Sequence, residues 1–403
     1  MAAPGRGYTR PPVRVCIHHL RHARSGGTER YLDYLAADLA GRGHEVTILC
    51  RSHAEAPHPA VRFVRLGGWA LGRGHRLWRF ARAVEDHLAA QPYDVVLGLG
   101  RTWSQDVIRL GGGTWALYLE RAMPADRPAW QRWLGRDALA DRICLGIERR
   151  ALAPGGTPFV IANSRMIAGE IQRRYGCEPE RIRVVHNAVD TARFDPALRD
   201  GPGAALRRSW GFAADDTVLL FLGSNYARKG LDRVLAGLAE VAPAFPRARL
   251  AVAGFDGDID GWRRRAAAAG LADRVVFAGG RRDVEACYAA ADVYLLPTLY
   301  DPFANTTVEA LACGLPVVTT DGNGGCEVLD DACGTVLPWT CDGHAIAGAL
   351  RRWCAPGAAA AARDAARAAA LANRVELGMA RSRAVLDEAA AARAARLAGA
   401  RVP

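Results

Sequence analysis

Apolar residues alternate at Val13, Val15 and Ile17. After the glycine pair Gly26-Gly27 they recur at helical spacing, at Tyr31, Leu32, Leu35 and Leu39, before Gly41. A period of two followed by a period near 3.6 predicts a strand, a turn and an amphipathic helix. A second apolar run, Val46 to Cys50, follows directly, so the segment reads as a βαβ start. That grammar favours a parallel sheet with helices on both faces.

The same order restarts after residue 215. Strands are expected at 217–222, 249–253, 275–277, 293–296 and 316–319, with helices at 231–241, 261–269, 284–290 and 306–313. Between the two runs, residues 187–203 are rich in Asp, Pro and Gly and lack periodicity, which predicts a linker. From Ala358 to Ala400 the chain is dominated by Ala and Arg, strong helix formers, which predicts one or two helices. The expected architecture is α/β, with two Rossmann-like, doubly wound domains facing a central cleft. The N-terminal domain is placed at 1–190, the C-terminal domain at 191–375, and a last helix at 376–403 packing back on the first domain.

Composition narrows the class. The 403 residues exceed what one core fills, about 250 to 300, while 50% apolar and 24% charged content exclude a disordered, collagen-like or disulfide-scaffold protein. The ten cysteines show no Cys-x-x-Cys and no zinc spacing, so reduced, mostly buried thiols and no structural metal are expected. Neither a signal-peptide core near the N-terminus nor a stretch of about 18 apolar residues is present, and a cytoplasmic location is expected. Of the 53 basic residues only Lys229 is lysine. Where Arg serves every generic positive charge, a lone Lys suggests a site needing a compact ammonium; the alternative is a lysine kept by chance on a solvated helix.

Ligands of open α/β sheets bind beyond the carboxyl ends of the strands, and three strand-to-helix loops point there. In 25–30, Ser-Gly-Gly-Thr-Glu-Arg, the glycine pair lets a ligand approach the backbone and the helix start suits a phosphate, although such a pair is often purely structural. In Gly223–Gly230, Arg228 and Lys229 fall at an expected helix start, where cations oppose the dipole unless an anion sits between them. In Leu299–Ala310, Asp301 precedes a helix that carries Glu309 among apolar neighbours. A carboxylate so placed needs a partner, and either ligand hydroxyls or an internal ion pair would serve.

Gly26-Gly27-Thr28-Glu29-Arg30, Gly223-Ser224 with Arg228-Lys229-Gly230-Leu231-Asp232-Arg233, Gly280-Arg281-Arg282-Asp283-Val284, and the run from Ala290-Ala291-Asp292 through Glu309-Ala310 to Gly314-Leu315-Pro316-Val317 together carry a resemblance. In order and spacing the chain resembles the retaining GT-B glycosyltransferases of family 4, most of all the lipopolysaccharide core glucosyltransferases. The resemblance implies transfer of a hexose from a nucleotide diphosphate sugar, UDP-glucose-like, to a saccharide or glycolipid acceptor in lipopolysaccharide core or cell-surface glycan synthesis. No metal or other cofactor is implied. Arg228 and Lys229 would hold the donor diphosphate, Gly26 and Gly27 would close over it, and Gly223, Ser224, Phe303, Ala304, Asn305 and Thr306 would complete the donor site. Glu309 would accept the ribose hydroxyls, and backbone near Arg281 would read the base.

Asp301 takes the place of the family's first Glu beside the sugar, one methylene shorter, and Asn305 stands where the pattern often has Gly. Asp106 and Trp115 are placed in the sugar pocket, Trp115 in the position of a family His. The resemblance also implies front-face displacement, in which the departing phosphate takes the acceptor's proton. The charges of Arg228 and Lys229 suit that leaving group. The alternatives are a sugar-nucleotide epimerase and a catalytically weakened sugar-nucleotide-binding protein on the same fold.

The clearest basic stretch interleaved with aromatics is Arg62, Arg65, Trp69, Arg73, Arg76, Trp78, Arg79, Phe80 and Arg82; a second, Met123 to Arg136, adds Trp130 and Trp133. Such faces suit an anionic bilayer surface, against the alternative of a merely solvated basic face. Nucleic acid is not an expected partner, since no recognition motif accompanies the charge.

Overall fold

The computed structural model describes residues 12–23, 26–53, 55–123 and 138–399. Seven strands form the first sheet: β1 (Arg14–His18), β2 (Glu45–Cys50), β3 (Val61–Arg65), β4 (Val95–Gly98), β5 (Val107–Leu110), β6 (Phe159–Ala162) and β7 (Ile182–Val184). Six form the second: β8 (Thr217–Ser224), β9 (Ala248–Phe255), β10 (Val275–Gly279), β11 (Val293–Leu296), β12 (Val317–Thr320) and β13 (Gly334–Leu337). The strand orders are β3-β2-β1-β4-β5-β6-β7 and β10-β9-β8-β11-β12-β13. Every pairing is parallel. The order reverses between β1 and β4 and between β8 and β11, and at such a switch point the loops part to leave a crevice. This is the GT-B architecture of two doubly wound domains.

The helices of eight or more residues are α1 (Gly27–Gly41), α2 (Gly72–Ala90), α3 (Ala138–Leu152), α4 (Arg165–Tyr175), α5 (Pro202–Ser209), α6 (Leu231–Val241), α7 (Ile259–Ala268), α8 (Asn305–Ala312), α9 (Gly343–Trp353), α10 (Arg363–Leu371) and α11 (Val375–Gly399). Alternate residues of the second sheet serve two cores: Leu220 and Tyr294 pack with Val308 of α8 on one face, Leu219 and Leu295 with Val234 of α6 on the other. Patterning predicts only β1 and β2 of the first sheet. β4, β5 and β6 are four-residue strands, almost wholly buried, so they lack the polar–apolar alternation that reveals a strand.

The chain crosses between domains twice, and the crossings are tied together: Val189 N donates to Asn373 O at 3.0 Å and Val375 N to Val189 O at 3.1 Å. This bridge interrupts the Ala/Arg-rich tail, which forms three helices, Ala358–Ala361, α10 and α11, rather than one or two. Helix α11 returns to the first domain, where Met379, Val385 and Leu386 join Val15, Ile17 and Leu35 in one core. Burying each of those three side chains contributes about 1.5 to 3 kcal/mol.

Candidate functional site

A cavity of about 370 Å³ lies where the carboxyl ends of the two sheets face each other. The first domain supplies Gly27 and Thr28 at the start of α1, Arg109, Gly111 and Gly112 at the end of β5, and Asn187; the second supplies Arg228, Lys229 and residues 300–306.

The glycine pair has two separate reasons. Gly26 caps α1 at φ 135, a conformation that L side chains rarely adopt. At Gly27 the backbone approaches the opposite wall so closely that an added Cβ would stand 2.9 Å from Asn305 Nδ2. Ser25 lies outside the described residues.

In the second loop β8 runs on to Ser224, and Asn225 turns the chain at φ 61, its Oδ1 accepting from Arg228 N at 3.2 Å. Residues Tyr226–Lys229 form one separate helical turn, closed by Gly230 at φ 83. Arg228 and Lys229 therefore end a short turn instead of starting α6, because Gly230 breaks the helix. Arg228 Nη1 donates to Tyr300 O at 3.1 Å. Lys229 is buried and paired with Asp301, so the negative partner these cations called for is, in this structure, a carboxylate of the chain itself. Gly223 lies beside the lysine stem, where an added Cβ would stand 3.5 Å from Lys229 Cγ, an ordinary contact. Ser224 is exposed and lies outside the cavity wall.

In the third loop Asp301 N donates to Gly322 O at 2.8 Å, and Asp301 Oδ1 accepts from Phe303 N at 3.2 Å, which holds the carboxylate toward Lys229. Helix α8 begins after Ala304 without a side-chain cap, and Ala304, Asn305 and Thr306 of its first turn line the cavity. An uncapped helix start offers N–H groups and a positive dipole end to an anion. Asn305 also spans the cleft, its Oδ1 accepting from Asn187 Nδ2 at 2.7 Å.

Glu309 lies one turn deeper and borders a neighbouring cavity instead, beside Arg30, Tyr34 and Asp190. It is buried and holds both a hydroxyl and a guanidinium: Tyr288 Oη donates to Oε2 at 2.9 Å and Arg30 Nη1 to Oε1 at 2.6 Å. Burial and the adjacent Glu309 charge push the Tyr288 hydroxyl well above the ordinary tyrosine range, which keeps it a donor. Burial works against the Arg30 charge, but Glu309 more than restores it, leaving that guanidinium's pKa raised.

Other contacts close the cleft. Ser164 Oγ donates to Pro302 O at 2.9 Å, and the Glu327 carboxylate accepts from Arg165 N and Met166 N, both at 2.9 Å, while His186 Nε2 stands 3.0 Å away. Burial pushes the Glu327 carboxyl up, yet those hydrogen bonds outweigh it and hold it below the usual value.

Two expected pocket residues stand elsewhere. The Trp115 ring meets the guanidiniums of Arg73 at 4.8 Å and Arg101 at 4.6 Å and stacks on Tyr118 at 4.7 Å, with its Nε1 donating to Asp141 Oδ1 at 3.1 Å. It opens a short helix capped by Thr114 and does not border the cleft cavity; the wall beyond β5 is Gly111 and Gly112, without side chains. Asp106 precedes β5, at the end of the strand away from the cleft. It accepts from Val96 N at 3.0 Å, Arg393 at 2.9 Å and Arg396 at 3.2 Å, clamping α11 to the sheet. Arg281 forms a bidentate pair with Asp283, at 3.0 and 2.6 Å, and also lies outside the cavity wall. Sequence reasoning missed Arg109, Asn187 and Tyr300. For Arg109 a signal existed: a charged residue inside the apolar strand Val107-Ile108-Arg109-Leu110.

Comparisons with known proteins agree with the fold. Residues 216–355 match the family described as "Glycosyl transferases group 1", and residues 25–193 match "Glycosyltransferase Family 4". A probable transglycosylase of Burkholderia thailandensis is 33% identical over 313 residues, 75% of this chain and 76% of that protein. The lipopolysaccharide glucosyltransferase WaaG of Escherichia coli is 26% identical over 328 residues, covering 81% and 84%. Among solved structures, WaaG superposes with a TM-score of 0.76 over 92% of this chain and 99% of that one, at 24% identity. Anabaena Alr3699/HepE, solved with UDP and glucose, superposes at 0.68 over 93% and 99%, with 17% identity. At these identities the structural likenesses speak for the fold alone.

Proposed function

Because the chain belongs to glycosyltransferase family 4 and is a glycosyltransferase, we propose that it moves a hexose from a UDP-glucose-like donor to a saccharide or glycolipid acceptor, with retention at the anomeric carbon. One observation carries this reading: Arg228 and Lys229 on one wall and the uncapped starts of α1 and α8 surround a single cavity. That convergence of cations and helix starts fits a diphosphate. The lipopolysaccharide activity in the name of WaaG, a relative aligned over 84% of its length, supports a role in lipopolysaccharide core or cell-surface glycan synthesis.

In this mechanism Lys229 exchanges Asp301 for the donor's phosphate oxygens, which frees the Asp301 carboxylate to accept a sugar hydroxyl. As the bond from the anomeric carbon to the diphosphate breaks, Lys229, Arg228 and the amides of α8 stabilise the charge that develops. The acceptor oxygen bonds to the anomeric carbon on the same face, and its proton passes to the departing phosphate. Glu309 takes the ribose hydroxyls once Arg30 withdraws. With the diphosphate charge met by protein cations, activity is expected to persist in EDTA.

The membrane face belongs to the same reading. No helix among the described residues is long and apolar enough to cross a membrane. Around the start of α2, however, Trp69 is 72% exposed, Leu71 67% and Trp78 50%, among arginines, while Phe80 is buried. This face would hold the enzyme against anionic headgroups on the inner side of the cytoplasmic membrane. Residues 124–137, with Trp130 and Trp133, lie outside the described residues.

The test is calorimetric titration of UDP-, GDP- and ADP-hexoses into the native enzyme and Lys229→Ala, followed by proton NMR of the product's anomeric coupling. Binding of one nucleotide sugar, weakened in the variant, with the donor's anomeric configuration kept, is expected. No binding of any of them, or an inverted product, would overturn the reading.

A further inference from the structure

Arg109 is a buried cation that the proposed chemistry leaves unused. It sits in β5 at 4% exposure, and among the described residues it forms no ion pair. Its Nη2 donates to Asn187 Oδ1 at 2.6 Å, a neutral acceptor, its guanidinium carbon stands 3.7 Å from the Tyr31 ring centroid, and its Nε is buried without a partner. A neutral amide and an aromatic face do not compensate a charge taken out of water, whose uncompensated burial costs several kcal/mol. Consistent with that, burial pulls the Arg109 pKa below its ordinary value.

The guanidinium is placed where a ligand can reach it. Arg109 borders the cleft cavity and also the cavity between Arg101, Glu148 and Gly111–Gly113. Its Nη1 lies against Gly111, in the space a side chain would fill, and the same space is 3.4 Å from Thr28 Oγ1. In the proposed chemistry Arg228, Lys229 and the helix starts already meet the donor diphosphate, which leaves the Arg109 charge available to a second anion.

We propose that Arg109 anchors an anionic group, phosphate or carboxylate, carried by the acceptor. The planar fork of a guanidinium matches either group. This inference rests on the donor site assigned above and names the acceptor class that the site would take: an acidic saccharide rather than a neutral one.

The full-length protein tests it. In a Lys229→Ala background, which removes one of the two donor-side cations and leaves Arg228 constant across the comparison, inorganic phosphate and acetate are titrated by calorimetry with and without Arg109→Gln. At least one anion is expected to bind, and about tenfold or more weakly once Arg109 is replaced, with Arg109→Lys recovering part of the loss. Gly111→Ala displaces the guanidinium while keeping its charge, and serves should Arg109→Gln fail to fold; it too should weaken the anion. Binding of neither anion, or equal binding with and without these changes, overturns the proposal. So does a tenfold loss of UDP affinity in Arg109→Gln alone, which would put Arg109 on the donor. Failure of the native enzyme to bind UDP would instead sink the donor reading and leave the anion comparison legible.

Discussion

Arg30 of α1 and Glu309 of α8 stand 2.6 Å apart, nitrogen to oxygen, and their pairing joins the two walls of the cleft. The carboxylate is 5% exposed and the guanidinium 38%. Under the ribose assignment proposed above, the donor's hydroxyls and Arg30 compete for one carboxylate, so donor binding would be coupled to the contact between the domains.

Arg30→Ala would leave Glu309 buried with Tyr288 as the remaining donor described at its carboxylate. Breaking a fully buried pair costs about 3 to 5 kcal/mol; with Arg30 partly in solvent, about 1 to 3 kcal/mol is expected. Glu309→Gln, which stays uncharged when Arg30 leaves, should cost less. Urea unfolding at constant slope reads both, and an unmoved midpoint in Arg30→Ala would show that the pair adds nothing.

Lys229→Ala should lower turnover by roughly 10² to 10³, the loss typical of one preorganised group that stabilises a leaving anion. Lys229→Arg should recover only part of it, because the side chain is buried and a planar fork does not reproduce the contacts of a compact ammonium. Steady-state kinetics with saturating donor decide; full activity in the alanine variant would remove Lys229 from the site.

The closed cleft should loosen in acid through Glu327. Its carboxyl lies below its ordinary value of 4.5 when folded, so its stabilising bonds to Arg165 N, Met166 N and His186 are fully present above pH 4.5. They are lost as the pH falls through the lower folded value. Chemical denaturation across pH 3 to 7 should show that acid limb, and Glu327→Gln should flatten it; identical limbs would rule the contact out as the cause.

Vesicles containing anionic lipid should carry the enzyme upward in flotation at low salt and release it as salt rises, since exposed charge contacts are screened. The double variant Trp69→Ala/Trp78→Ala should float less with its activity unchanged. Recovery of the native enzyme only at the bottom of the gradient at low salt would end the membrane reading.

Much of this was legible in the chain. Alternation at Val13, Val15 and Ile17 and the repeated strand–loop–helix order carried the doubly wound class, because those patterns follow from local geometry. Lys229 stood out as the only lysine, and Gly26 and Gly27 as a helix entry, and the structure brings Lys229 and Gly27 to one cavity while Gly26 caps the helix behind it. What composition and spacing could not settle was which partner each charge finds. Asp106 reads like a pocket acid, yet it meets Arg393 and Arg396, nearly 290 residues on. Glu309 meets Arg30 from the other domain, Trp115 stacks behind Tyr118 outside the cavity wall, and Arg109 is left in the cleft wall without a carboxylate among the described residues. Periodicity is a property of neighbours along the chain and survives in the sequence; pairing of buried charges depends on which distant segments the fold brings within about 4 Å, and only the packed structure decides that.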